Sequence, residues 1–254
     1  MKLVPVAIIT CAILSAQAYA INVNGEEKEQ DSQLTTAFVQ KQVEQSMSIG
    51  RAIKSIISHY PRDAITVVST ALDLYPENYK EIIHAAISAE PALTGEVVTL
   101  AIEKGISSCS SIVETAINAE PSYVDFIVRA AAYATPDELG EIVRIAVETE
   151  PDSADNIVHT LTKAHPNEMV EIIKTAISTV PFVGEYVVDA LLAAYPDEAE
   201  QVVTTALIES AREQESVRRI LVTAMNAGVS PEDLMIYAKN AGANEEQLAF
   251  IASQ

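Results

Sequence analysis

The hydrophobic positions of this chain recur on a fifteen-residue grid. Counting units from residues 61, 76, 91 and onward to 196, position seven is Val67, Ile82, Val97, Ile112, Ile127, Ile142, Ile157, Ile172, Val187 and Val202, and position eight is valine or isoleucine in every unit. Position eleven is alanine in eight units and leucine at Leu161 and Leu191. Position twelve is mostly leucine, isoleucine or valine, and position four is often apolar, as at Ala64, Val124, Leu139 and Met169. Sites four, seven, eight, eleven and twelve follow the i, i+3, i+4, i+7, i+8 spacing, which is one stripe of an α-helix and not the alternation of a strand. β-Branched residues at seven and eight are mediocre helix formers, so packing must override propensity at those sites.

The polar and turn-forming positions divide the stripe into separate helices. Position one is proline at 61, 76, 91, 121, 136, 151, 166, 181 and 196, and only Ile106 interrupts the series. Proline stops the preceding helix and pushes the residue before it out of the α region. Position two supplies candidate N-caps at Ser107, Ser122, Asp137, Asp152, Asn167 and Asp197, and Asp197 with Glu200 has capping-box spacing. Each unit therefore predicts a helix of about eleven to twelve residues and a tight turn, with the next helix folding back antiparallel.

A longer period lies inside the first. Units starting at 76, 106, 136, 166 and 196 resemble one another, with Glu81, Ser111, Glu141, Glu171 and Gln201 at position six. The others are less uniform and carry more aromatics. The repeat is thus a thirty-residue helical hairpin, present five times over 61–210, and the expected fold is an all-α solenoid of the right-handed type. Alanine at position eleven permits close helix approach, and five layers of about 8–10 Å give a body of about 50 Å. The pattern resembles helical-hairpin solenoids such as tetratricopeptide-like arrays in architecture alone. Its period is thirty and not about thirty-four, tryptophan is absent, and the signature residues of that family are missing. The resemblance implies a fold and no function.

Both ends depart from the grid. Residues 33–60 predict N-terminal capping helices, with Ile53, Ile56 and Ile57 in a degenerate unit. Residues 211–254 predict a C-terminal helical cap, in which Gly228 and Gly242 act as helix stops and Ser230 and Asn244 as caps. Residues 1–20 have Lys2, an apolar run from Leu3 to Ala16 too short to span a bilayer with ease, and the small-residue site Ala18-Tyr19-Ala20. This is the pattern of a secretory signal cleaved before Ile21. Residues 21–32, with Glu26, Glu27, Glu29 and Asp31, are expected to form a disordered acidic lead. The expected location is outside the cytoplasm, periplasmic or extracellular, without a stable membrane anchor after cleavage.

Charge narrows the partners. A net charge of −20 disfavours nucleic acid and anionic lipid and suits cationic partners or divalent ions. Beyond residue 20 the single cysteine, Cys109, rules out an internal disulfide. It falls on a core-facing position, with pairing between molecules as the alternative.

No enzyme constellation stands out. His59, His84, His159 and His165 are scattered without metal-ligand spacing. The serines around Cys109 have no neighbouring histidine to activate a nucleophile. The expectation is a non-catalytic protein with no cofactor and no metal site. Two features can carry binding. Glu90, Glu120 and Glu150 recur every thirty residues at helix ends, forming an acidic edge open to a cation or a basic peptide. Tyr123, Phe126, Tyr133, Phe182, Tyr186 and Tyr195 sit in the variable helices, several at positions three, six and thirteen, off the apolar stripe. Aromatics there suit a docking wall on the helices of units 61, 91, 121, 151 and 181. The leading expectation is an exported interaction scaffold or adaptor for another protein, including one with a basic surface. The alternatives are a Ca²⁺- or cation-dependent module using the acidic edge, and a self-assembling envelope or matrix component.

Overall fold

The computed structural model describes residues 35–253, and all regular structure among them is helical. The signal segment 1–20 and the acidic lead 21–32 lie outside the described residues. Helix α1 covers 35–45. It is followed by α2 (Ile49–His59), α3 (Ala64–Leu74), α4 (Tyr79–Ala89), α5 (Thr94–Glu103), α6 (Cys109–Ala119), α7 (Val124–Ala134) and α8 (Leu139–Thr149). Then come α9 (Ala154–Ala164), α10 (Met169–Thr179), α11 (Gly184–Ala194), α12 (Ala199–Glu209), α13 (Gln214–Asn226), α14 (Pro231–Asn240) and α15 (Glu245–Ala252).

The prolines open the turns differently from the sequence expectation. Each begins a three-residue 3₁₀ turn, and the α-helix proper starts at position four. The position-two residues Ser122, Asp137, Asp152, Asn167 and Asp197 lie inside these turns, and no side chain caps the helix that follows. The backbone does that work. In the first turn Tyr60 N–H donates to the Ile56 carbonyl at 2.8 Å and Asp63 N–H donates to the Tyr60 carbonyl at 3.1 Å, while Ala64 N–H donates to the Pro61 carbonyl. Proline has no N–H to satisfy, and its fixed φ suits the first turn. Only position two keeps a donor for solvent, and that residue is exposed in all nine proline-led units. Capping side chains are therefore superfluous, and the proposed box of Asp197 with Glu200 does not form.

The one unit without proline shows the alternative solution. Helix α5 ends at Glu103, and Gly105 takes the left-handed conformation at φ +61°. Ser108, one residue beyond the expected Ser107, then caps α6 through Ser111 N–H at 3.3 Å. Helix α5 ends one residue earlier on the grid than the helices that precede a proline turn, and its connector is one residue longer, so α6 still starts on the grid at position four.

The helices stack in two columns. Even-numbered helices from α2 to α14 pack each on the next even one, odd-numbered helices from α3 to α13 do the same, and consecutive helices join the columns. Within a column the helices run parallel. Gly50 N–H at the start of α2 donates to Glu81 Oε1 in the first turn of α4 at 2.9 Å, and Tyr79 Oη at the start of α4 lies 2.7 Å from Ser111 Oγ in the first turn of α6. Between columns they are antiparallel, since Thr135, just past α7, donates to Cys109 Sγ at the start of α6 at 3.3 Å. This is the hairpin solenoid that the fifteen- and thirty-residue periods imply.

Positions seven, eight and eleven form the seam between the columns. All thirty of these side chains are no more than 2% exposed. Position four distinguishes the columns. In the odd helices it is small (Ala64, Thr94, Val124, Ala154, Gly184) and always buried. A Cβ on Gly184 would stand 3.1 Å from Ile220 Cδ1 and 3.5 Å from Ser210 Oγ, so the Ile220 side chain of α13 packs directly on the α11 backbone there. Beyond Ser210 the grid ends. Helix α13 buries Val217, Ile220, Leu221 and Ala224, and Arg218 turns outward to lie over the Phe250 ring at 5.3 Å. Asn244 and Gln247 form a reciprocal capping box on α15.

Candidate protein-interaction face

The two columns present chemically different surfaces. The even face carries local ion pairs. Arg144 bonds Glu141 at 2.7 Å and Glu148 at 2.6 Å, and Lys174 lies 3.6 Å from Glu171. The hydrogen bond from Arg144 holds the Glu141 carboxyl below the ordinary carboxylate range. Pairs of this kind, one turn apart on an exposed helix, satisfy themselves and leave little for a partner.

The odd face carries large rings in water. Phe126 is 43% exposed and Tyr133 85% on α7, and Tyr186 is 55% exposed on α11, with Phe182 50% exposed in the turn that leads into it. Phe126 packs against the half-buried Tyr123 with centroids 5.5 Å apart, and the Arg129 guanidinium lies 4.9 Å from the Phe126 centroid. Tyr195, closing α11, is half-buried with its ring 6.3 Å from that of His159 on α9. The six aromatics thus divide into an α7 group and an α11 group, with the polar surface of α9 between them.

Two grooves flank α7. The first, about 670 Å³, lies toward α5 and is lined by Phe126, Arg129 and Tyr133 on one side and Gly95, Glu96 and Glu103 on the other. The absence of a side chain at Gly95 deepens it, since a Cβ there would approach Ala130 Cβ and the Phe126 carbonyl to 3.9 Å. The second, about 640 Å³, lies toward α9 and is lined by Ser122, Asp125, Arg129, Asn156, His159 and Lys163, among others. Arg129 is shared by both.

Sequence reasoning placed the rings on this face but missed Arg129, His159 and Lys163. They stand at positions nine, nine and thirteen of two different units, and only stacking brings them to one groove. The available signal was compositional: across α3, α5, α7, α9 and α11 they are the only Arg, Lys or His residues.

The other sequence candidates fall elsewhere. Glu90, Glu120 and Glu150 are half-buried residues that close α4, α6 and α8, and Glu120 accepts a hydrogen bond from Ser122 Oγ at 2.8 Å. Among the described residues no three His, Cys, Asp or Glu side chains come together as metal ligands. Cys109 is buried, and burial pushes its thiol up despite the Thr135 hydrogen bond. A buried, protonated thiol is a poor partner for a disulfide between molecules, which removes that route from the self-assembly alternative. No described helix is long and apolar enough to cross a membrane. No protein-family model matches the chain, and no match was found among curated proteins or solved structures.

Proposed function

We propose that this chain is an exported, non-catalytic helical-repeat adaptor that binds another protein on the face made by its odd-numbered helices. The observation that carries the reading is the exposure of Phe126, Tyr133, Phe182 and Tyr186 on the α7 and α11 hairpins, while α8 and α10 expose ion pairs and no aromatic ring. Rings exposed to water and fixed on rigid helices lose little entropy on docking and bury much apolar area, the usual properties of interface anchors. Repeat stacking supplies the rigid, extended surface that such anchors need. Export rests on the signal pattern of residues 1–20.

Photo-crosslinking tests the docking face. With a photoreactive phenylalanine at position 133 or 186, the chain should capture one and the same protein from the extracytoplasmic fraction, and the probe at Glu148 on the even face should not. Equal capture from both faces would remove the odd face from the account. N-terminal sequencing of chain recovered from that fraction should begin at Ile21; an intact Met1 would overturn the export reading.

A further inference from the structure

The three basic residues of the odd helices from α3 to α11 converge on one groove in a strongly acidic protein, while the remaining odd helix of the column, α13, carries Arg218 and Arg219. Helices α3, α5 and α11 contain no Arg, Lys or His; α7 contributes Arg129, and α9 contributes His159 and Lys163. All three line the α7–α9 groove, where Asp125 is the one carboxylate among the lining residues. Lys104, Arg144, Lys174 and Arg219 are consumed in ion pairs. Arg129 and Lys163 make none with any described residue, and neither do Lys54, Arg62, Lys80 or Lys239; what sets Arg129 and Lys163 apart is that they line one groove together with His159. Arg129 is held instead by the Phe126 ring, a contact that fixes the guanidinium and leaves its N–H donors for a carboxylate.

We propose that the α7–α9 groove receives an acidic segment of the partner protein, whose carboxylates meet Arg129, His159 and Lys163 and whose apolar side chains lie on Phe126 and Tyr133. The inference rests on the odd-face docking reading and specifies the partner's chemistry, which composition alone had placed on the basic side. The α5 side of α7 bears Glu96 and Glu103, so the face runs from acidic at α5 through aromatic at α7 to basic at α9. This gradient fixes one orientation for the docked segment, with its acidic end over α9. With a net charge of −20, the chain as a whole repels acidic ligands, so one is tolerated only where positive charge gathers locally, as it does in this groove, and like-charge repulsion elsewhere adds specificity. The same field excludes a long polyanion, whose phosphates or sulfates would extend past the groove onto acidic surface.

Fluorescence anisotropy of the full chain with two labelled dodecapeptides, one of alternating Glu and Tyr and one of alternating Lys and Tyr, tests the assignment. The Glu peptide should bind, and more weakly as salt rises. Its affinity should fall by at least about tenfold in Arg129→Glu/Lys163→Glu. It should also fall in Lys163→Glu alone, which leaves the Arg129–Phe126 contact intact. Both positions are exposed, and unchanged helical circular dichroism would verify the fold. Unaltered binding by the double variant, preference for the Lys peptide, or tighter binding of a dodecathymidylate would each overturn the inference. Photo-crosslinking from positions 133 and 186 that persists alongside any of those results would leave the docking face standing, so the two readings fail separately.

Discussion

Thr162 shows how individual side chains set the tolerance of the array. It occupies position twelve of its unit, where eight other units have valine, leucine or isoleucine. Its side chain is fully buried in α9 and its hydroxyl has no hydrogen-bond partner. A buried hydroxyl without a partner carries its desolvation cost uncompensated, and valine has the same shape without that cost. Thr162→Val should therefore raise stability by about 1 kcal/mol, read as a higher urea midpoint at unchanged slope; a lower midpoint would show that the hydroxyl is bonded. The stripe that isolates this residue was legible in the sequence, because burial at seven, eight, eleven and twelve follows from helical periodicity alone. The convergence of Arg129, His159 and Lys163 was not. Residues thirty apart become neighbours only through the parallel packing within a column, and no local pattern encodes which faces of two such helices meet.

At the scale of the element, two connector designs hold one register. The proline connector satisfies its donors with a 3₁₀ turn, so its side chains are free to vary, as Arg62, Ala92 and Phe182 at position two show. The helix lengths and the turn positions were readable, but the capping side chains were misassigned, since serine, aspartate and asparagine favour N-caps and 3₁₀ turns alike and only the backbone hydrogen bonds separate the two. The Gly105 connector lacks this latitude. With φ at +61° and no atom within 4 Å of the point a Cβ would occupy, Gly105→Ala meets no steric clash with neighbours and isolates the backbone cost. It should destabilise the chain by about 1–2 kcal/mol, whereas a change of less than a few tenths in the urea-unfolding free energy would mean that the turn relaxes to another conformation.

Over the whole molecule, nearest-neighbour packing makes the odd column a ruler. Position six of successive odd helices is Thr66, Glu96, Phe126, Asn156 and Tyr186, all exposed. Each step along the column adds one helix diameter, and the docking face depends on this order, because it sets the aromatic group of α7 apart from that of α11 by the basic surface of α9. Stacking was legible from the unbroken fifteen-residue period; the polarity of the resulting face was not, since it arises from side chains that differ between otherwise equivalent units. The most direct test is pulsed electron–electron resonance between spin labels on introduced cysteines at position six, with Cys109 left in its buried site. The Thr66–Phe126, Thr66–Asn156 and Thr66–Tyr186 pairs should give distances that lengthen by about 8–10 Å for each added layer. Distances that stay level or shorten from the second pair to the third would contradict a stacked column, and the docking face with it.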